Sequence, residues 1–249
     1  MTVLQERPLV TFALFAYNQE RYIREAVEGA LAQEYTPLEI IISDDCSADL
    51  TFEIMQELVS AYDGPHAVRL IRNPVNLGLG AHVAKVHAVA RGEIIVHAAG
   101  DDVSMPQRVE RLVAGYLAAT PRPSLLESNA IVIDEDGVGT SLYHLPRCAG
   151  RYRHENPWIP PTAAGGSTFA VARSLLDAFA PLPGDFIAED ALLGLRANLM
   201  DGVLYIPEPL VKYRVTLTGL WNGPISNGMS CQLVLHEIRS YRIALPCLQ

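Results

Sequence analysis

The chain is poor in cysteine and has no excess of positive charge, and both features restrict the kinds of ligand that it is expected to bind. Among its 249 residues, 19 Lys and Arg stand against 28 Asp and Glu, which gives a formal net charge of −9. So acidic a chain is not expected to bind a nucleic-acid backbone. The four cysteines have neither CxxC nor Cys/His metal-ligand spacing, and we interpret them as reduced thiols: Cys46, Cys148, Cys231 and Cys247.

Long apolar runs are also missing. No segment approaches the roughly 20 residues needed to span a bilayer, and residues 1–8 lack the basic start and apolar core of a signal peptide. We therefore expect a cytoplasmic protein, with peripheral attachment at the inner face of a membrane left open. A hydrophobic fraction of 49% and a charged fraction of 19% are typical of an ordered globular domain.

Apolar runs alternate with helical segments in the first part of the chain. The runs predict strands at 9–16, 38–43, 67–71 and 93–98, and the segments between them predict helices at 20–31, 50–61 and 79–90. This alternation is typical of an α/β fold with a doubly wound, mostly parallel sheet and helices on both faces. Loops at the carboxyl ends of parallel strands meet at one edge, where such sheets bind ligands.

The pattern changes after about residue 120. We predict strands at 124–133, 166–172 and 202–207, a turn at 134–137 and a helix at 191–200. Residues 138–165 are rich in Pro, Gly, Arg and aromatic side chains, and we expect an irregular excursion over the cleft. A terminal helix at 230–245 would pack on the domain or form a homodimer contact. We expect one domain over residues 1–215 and a C-terminal extension over 216–249.

Two adjacent carboxylates, Asp101 and Asp102, follow the apolar run 93–99. Carboxylates at the carboxyl end of a buried strand can bind a hard divalent cation, which in turn can hold the diphosphate of a nucleotide. In the alternative interpretation they cap the next helix, because Asp is a favoured N-cap and Pro106 suits a first helical turn.

Six ordered segments resemble the family 2 glycosyltransferases of the GT-A fold, over roughly residues 8–215. Each motif is weak alone, and the resemblance rests on their order and spacing. The segments are Ala16-Tyr17-Asn18-Gln19-Glu20, Asp44-Asp45-Cys46-Ser47, Asn73-Pro74-Val75-Asn76-Leu77-Gly78, Ala90-Arg91-Gly92-Glu93-Ile94-Ile95, Glu189-Asp190-Ala191-Leu192-Leu193-Gly194-Leu195-Arg196 and Pro207-Glu208-Pro209-Leu210-Val211-Lys212-Tyr213-Arg214.

The resemblance implies an inverting transfer of a sugar from a UDP- or dTDP-linked nucleotide-sugar to an acceptor hydroxyl. Asp101 would bind Mn²⁺ or Mg²⁺, which stabilises the leaving diphosphate, with Asp102 supporting the metal or the ribose. Asp190 would be the general base, and Glu189 would orient the acceptor or the loop. By analogy, the acceptor is a saccharide or lipid-linked saccharide of bacterial surface polysaccharide or lipopolysaccharide synthesis.

The same resemblance divides the domain into two halves. Residues at about 8–120 would bind the nucleotide-sugar, through Ala16, Tyr17, Asn18, Glu20, Asp44, Asp45, Asn76, His82, Lys85 and Asp102, joined by Arg214 from the closing strand. Residues at about 121–215 would face the acceptor, through Trp158, Gly166 and Ser167. Aromatic rings stack on sugar faces, although Trp158 could equally pack under a loop.

Several positions keep a second interpretation. Glu189 and Asp190 could cap the helix that follows them, and one of Asp44 and Asp45 could serve only as a cap. Arg214 could meet the diphosphate or brace the closing loop. Two departures from the family pattern add to these alternatives. His82-Val83-Ala84-Lys85 replaces Ala-Arg-Asn, so that the basic group shifts to His82 or Lys85, unless Lys85 lies on a solvated helix face.

The second departure is Ala99, which stands where the metal motif usually has its first Asp. The missing carboxylate motivates one alternative, a catalytically silent nucleotide-sugar binder or scaffold. A sugar nucleotidyltransferase is another alternative, but it requires a Gly-rich, basic loop after the first strand, and residues 16–20 do not supply one. A dinucleotide-binding dehydrogenase is poorly supported, because no GxGxxG follows that strand.

Overall fold

The computed structural model describes residues 7–143, 150–152, 166–184 and 189–216. Its strands are β1 (Val10–Ala16), β2 (Leu38–Asp44), β3 (Ala67–Arg72), β4 (Ile94–Ala99), β5 (Val103–Ser104), β6 (Leu125–Ile133), β7 (Gly139–Tyr143), β8 (Gly150–Tyr152), β9 (Phe169–Ala172) and β10 (Val203–Arg214). Its α-helices are α1 (Ile23–Leu31), α2 (Thr51–Ser60), α3 (Leu79–Val89), α4 (Arg108–Ala118), α5 (Arg173–Ala178) and α6 (Glu189–Leu199), and a 3₁₀ turn covers Gly166–Thr168.

The strands form one mixed sheet in the order β3-β2-β1-β4-β9-β6-β10-β5, with β7 paired to β6 and β8 to β10. The four long ladders, which join β1 to β2 and β4, β2 to β3, and β6 to β10, are parallel. The shorter pairings made by β5, β7, β8 and β9 are antiparallel. The predicted α/β fold is confirmed, and its antiparallel pairings lie in the second half.

Helices cover both faces of the sheet because alternate strand residues point to opposite sides. Phe12 and Leu14 of β1 pack in one core cluster with residues of α1, α2 and α4. Ala13, between them, packs on the other face with Val86 of α3. A third cluster beside it joins α5 and α6 to the second half of the sheet. Because helices cover both faces of the sheet, the loops that follow the parallel strands meet at its carboxyl edge.

The second half differs from the sequence-based expectations in three places. Residues 138–165 are not wholly irregular, because they contain β7 and β8; residues 144–149 and 153–165 lie outside the described part. The strand expected at 202–207 and the closing strand that the resemblance implied at 207–214 are one strand, β10, since bulges around Pro209 accommodate the prolines. Residues 166–168 form a 3₁₀ turn, and the strand begins at Phe169. The predicted terminal helix also lies outside the described residues.

None of the helices in the described ranges is long and apolar enough to cross a membrane.

Candidate active site

The loops after β1 and β2 are tied together by hydrogen bonds. Asn18 has a left-handed backbone (φ 52°), a conformation that Asn tolerates better than most residues. Its N–H donates to Ser47 Oγ, and its side-chain carbonyl accepts from the Ala48 N–H, both at 2.9 Å. Glu20 Oε2 accepts from the Leu50 N–H at 2.9 Å. Asn18 and Glu20 therefore support the loops, and the neighbouring Tyr17 is left 46% exposed.

Asp44 and Asp45 are buried at the end of β2 and organise two different loops. Asp44 accepts from the Ser47 N–H at 3.0 Å and from the Ser47 hydroxyl. Asp45 accepts from the N–H groups of Leu77 and Gly78, both at 3.0 Å. Neither makes a cap bond to α2. The carboxylate that bonds there belongs to Asp49, which accepts from the Thr51 N–H at 3.0 Å.

The loop before α3 is held by a chain of side chains. Lys85 Nζ donates to Asn73 Oδ1 at 2.6 Å, and the Asn73 amide donates to Asp45 at 2.7 Å. The structure thus gives Lys85 a specific partner. Asn76 Oδ1 accepts from the Gly78 N–H at 2.8 Å and closes the turn.

His82 lies behind this loop, buried against β2. Its Nε2 is 2.7 Å from Ser43 Oγ. Burial lowers the pKa of His82, against the opposing pull of Asp45 and Asp44. A lowered pKa favours the neutral imidazole at neutral pH, so His82 is a poor substitute for the cationic group of the family pattern.

The acidic motif after β4 is packed against the β1 loop. A Cβ at Gly100 would overlap the Gln19 side chain and lie 2.9 Å from the Ala16 Cβ, so only glycine fits this approach. Asp101 is partly exposed, and burial raises its pKa, while Gln19 and Arg214 oppose the rise.

Asp102 is turned inward and only 5% exposed. Its Oδ1 accepts from the Arg214 N–H at 2.7 Å. Burial and the adjacent Asp101 raise its pKa to about 8. The strand β5 separates both carboxylates from α4, which begins at Arg108. The capping alternative for Asp101 and Asp102 is therefore wrong.

Arg214 stabilises the loops at the end of β10, which is the second of the two roles considered for it from the sequence. Its guanidinium donates to the carbonyls of Asp101 (2.9 Å), Asp134 and Glu135 (both 3.1 Å) and pairs with the Glu25 carboxylate at 3.0 Å. The side chain is 1% exposed. With its donors used in this way, Arg214 acts on the site through the loops that it holds.

The second acidic pair stands at the start of α6 and packs on the 3₁₀ turn. Glu189 Oε1 lies 2.5 Å from the position of a Cβ at Gly166, so that glycine makes room for this carboxylate. Burial and Asp190 raise the pKa of Glu189 to about 8. Burial also raises the pKa of Asp190 to about 6, and its Oδ1 accepts from the Ala191 N–H at 2.7 Å.

Asp190 already lies inside α6 and accepts only from the next residue, so this contact is not an N-cap bond to a later N–H of the helix; its side chain remains partly exposed. Gly166 packs against the Glu189 carboxylate, and the Ser167 carbonyl accepts from Arg108, which also donates to Ser104, two residues after Asp102. Trp158 lies outside the described residues.

The sequence interpretation missed Arg108, whose side chain is completely buried beside these motifs. A signal was present, because Arg108 falls four residues before Leu112, on the apolar stripe of α4. Gln19 was quoted only as part of a motif, and its contact with Gly100 has no signature in the sequence.

A mixed α/β sheet with acidic motifs at its carboxyl edge defines the class of this protein. Residues 11–122 match the family described as Glycosyl transferase family 2. Residues 11–122 therefore belong to this family, and the resemblance that the motifs predicted is confirmed for this part of the chain.

Relatives extend the match beyond that range. The uncharacterized protein Rv1520 of Mycobacterium tuberculosis is 30% identical over 214 residues, which are 84% of this chain and 59% of that protein. The succinoglycan biosynthesis protein ExoO of Rhizobium meliloti is 38% identical over 136 residues, 55% of this chain and 37% of its own. The chain thus spans less than two thirds of the length of these relatives.

Solved structures share the fold. S. aureus TarS 1–349 in complex with UDP-GlcNAc superposes with a TM-score of 0.72 at 18% identity, covering 93% of this chain and 65% of TarS. The mannosyltransferase PcManGT from Pyrobaculum calidifontis, in complex with GDP-Man and Mn²⁺, gives a TM-score of 0.64 at 18% identity, covering 98% of this chain and 66% of its own.

Proposed function

We propose that residues 8–215 form a transferase domain that moves a sugar from a UDP- or dTDP-linked nucleotide-sugar to an acceptor hydroxyl, with inversion. The observation that carries the proposal is the placement of two acidic motifs on either side of one turn. The Ser167 carbonyl accepts from Arg108, which also donates to Ser104, two residues after Asp102. Gly166 gives room to the Glu189 carboxylate. Donor and acceptor would meet between the motifs.

The carboxylates at this edge suit a divalent cation that is also bound by the phosphates of the substrate. No group of three or more His, Cys, Asp or Glu side chains in the described ranges is placed to hold a metal by itself. Mg²⁺ and similar hard cations are commonly bound by one or two carboxylates together with substrate phosphates. Asp101, partly exposed at the edge, would supply that carboxylate to Mn²⁺ or Mg²⁺. When bound, the cation would stabilise negative charge on the diphosphate.

Asp190 would accept the proton of the attacking hydroxyl. Its pKa of about 6 keeps it ionised at pH 7 and still basic enough for this task. The N-terminus of α6 adds favourable partial charge for the ionised form. Glu189, with a pKa of about 8, would be protonated at pH 7 and could donate a hydrogen bond that orients the acceptor.

The nucleotide would lie on the loops after β1 and β2. Tyr17 is exposed there, and the hydrogen bonds of Asn18, Asp44 and Asp45 fix the backbone around it. ExoO is named for succinoglycan biosynthesis, which favours a saccharide or lipid-linked saccharide acceptor in polysaccharide synthesis here.

The test is release of the nucleoside diphosphate from a panel of UDP-, dTDP- and GDP-sugars, with Mn²⁺ or Mg²⁺ present. Asp190→Asn should abolish turnover and keep donor binding, because the amide preserves shape and removes the base. Asp177→Asn, at an exposed position of α5, is the matched control and should be fully active.

The second candidate is a silent nucleotide-sugar binder, favoured by Ala99 in place of a carboxylate. It predicts that the unmodified protein binds a donor and never turns it over with any acceptor. Turnover that persists undiminished in Asp190→Asn would instead reject Asp190 as the base.

A further inference from the structure

Arg108, the first residue of α4, lies completely buried where two strands of the sheet separate. β4 and β9 pair antiparallel from Ile94 opposite Ala172 to Val96 opposite Ala170, and the ladder ends there. The guanidinium occupies the position at which the ladder stops.

The arginine bonds to groups that the ladder no longer pairs. Nη2 donates to the carbonyls of His97 at 2.8 Å and Ser167 at 2.6 Å, and the Phe169 carbonyl lies at 3.5 Å. Nη1 donates to Ser104 Oγ at 2.8 Å. Buried carbonyls require partners, so Arg108 allows β4 and β9 to separate inside the protein without leaving these acceptors unpaired.

The bonded segments lead directly to the two sides of the candidate site. His97 lies on β4, three residues before Gly100, and Ser104 lies on β5, two residues after Asp102. Ser167 belongs to the turn on which Glu189 packs. One side chain thus connects the two segments that flank the acidic motif 100–102 with the turn 166–168.

We propose that Arg108 is a positioning residue that sets the spacing between the donor-side loop 100–102 and the acceptor-side turn 166–168. The inference rests on the proposed function, since donor and acceptor sides are defined by transfer. Lys keeps the charge but has one nitrogen, and it cannot bridge three segments as the planar guanidinium does. Misplacement of reacting groups by about 1 Å can cost on the order of 100-fold in rate.

The functional experiment compares Arg108→Lys with the unmodified chain. Calorimetry with UDP and Mn²⁺ gives affinity and the number of binding sites, and UDP release from UDP-GlcNAc gives kcat for each binding site. We expect similar UDP affinity and a kcat per site that falls by about 100-fold. An unchanged kcat per site, with fewer sites, would mean that Arg108 only supports folding and would overturn the proposal. Arg111→Lys, exposed on the same helix, is the control.

A second experiment needs no donor. Hydrogen exchange in Arg108→Lys should accelerate in both 97–104 and 166–172, with β1–β3 unchanged. Acceleration in only one of the two segments, or in neither, contradicts the proposal. If Arg108→Lys does not fold, Ser104→Ala removes one partner of the guanidinium and should loosen the same two segments less strongly. An effect confined to residue 104 would overturn the proposal for Arg108.

The two experiments separate this proposal from the proposed function. A protein that binds no nucleotide would reject the proposed function, while hydrogen exchange still decides the role of Arg108.

Discussion

The backbone N–H of Arg214 donates to Asp102 Oδ1 at 2.7 Å and so joins the end of β10 to the loop that follows β4. The two neighbouring carboxylates consequently have different surroundings. Asp102 is almost completely buried and serves as an acceptor within the protein, whereas Asp101 remains partly exposed at the edge of the sheet. We propose that metal binding depends on Asp101 and that Asp102 has a structural role.

Replacement of Asp102 should therefore change stability more than metal dependence. Asp102→Ala leaves the buried Arg214 N–H without an acceptor, which costs about 1–3 kcal/mol. Asp102→Asn keeps an acceptor of the same shape and should cost less. Denaturant unfolding measures both values. Equal stability of Asp102→Ala and the unmodified protein would show that the hydrogen bond to Arg214 contributes little.

The acidic pair at α6 predicts a bell-shaped dependence of turnover on pH. The pair has pKa values of about 6 and about 8, assigned to Asp190 and Glu189. Turnover should rise as pH passes about 6, when the base ionises, and fall as pH passes about 8, when the second proton is lost. A pH profile of kcat on the accepted donor measures both limbs.

Glu189→Gln tests the alkaline limb of that profile. The amide imitates the protonated carboxyl, so the variant should keep turnover above pH 8, whereas Asp190→Asn should be inactive throughout. An unchanged alkaline limb in Glu189→Gln would assign that limb to another group.

Glu189 also predicts how the free energy of unfolding depends on pH. Its folded pKa of about 8 lies above its ordinary value of 4.5, so between these values the folded state retains a proton that the unfolded state has released. The contribution of Glu189 to stability is therefore present below about pH 4.5 and is lost as pH rises through about 8. Glu189→Gln should reduce the fall in stability between pH 5 and 8. An equally steep fall in the variant would contradict the raised pKa.

Gly100 should tolerate no side chain. A Cβ there would lie 2.9 Å from the Ala16 Cβ, and backbone would have to move to relieve the contact. Overpacking of this kind costs about 1–3 kcal/mol, and we expect Gly100→Ala to lower nucleotide affinity as well, because the same loop carries Asp101. Gly184→Ala is the control, since its nearest neighbour, Ala81, lies at an ordinary 3.6 Å. Similar melting temperatures for the two variants would contradict this packing.

Local pattern was enough to predict most of the first half of the fold. Buried parallel strands appear as continuous apolar runs, and the predicted ends of β1 to β4 lie within one or two residues of those in the structure. β7 and β8 were missed because their pairing with β6 and β10 joins segments distant in sequence. The continuation of β10 past Pro207 and Pro209 depends on bulges, which periodicity does not reveal.

Motif order selects Asp101 and Asp190 as candidate site residues, and their roles stay predictions. The orientation of the side chains was beyond the sequence, because the inward turn of Asp102 depends on the Arg214 N–H, 112 residues away. Similarly, the role of Lys85 on α3 depends on Asn73, which lies in the loop between β3 and that helix. Contacts of this kind follow from the folded chain and have no short-range signal.

The most direct test of the account is titration of UDP into the protein by calorimetry, with and without Mn²⁺, on the unmodified chain and on Asp101→Ala. We expect binding that strengthens with Mn²⁺ in the unmodified protein and loses this dependence in the variant, since the carboxylate shares the cation with the diphosphate. Absence of binding to UDP, and to dTDP and GDP as comparators, by folded protein would contradict the proposed nucleotide-sugar chemistry. Equal Mn²⁺ dependence in Asp101→Ala would reject Asp101 as the metal ligand.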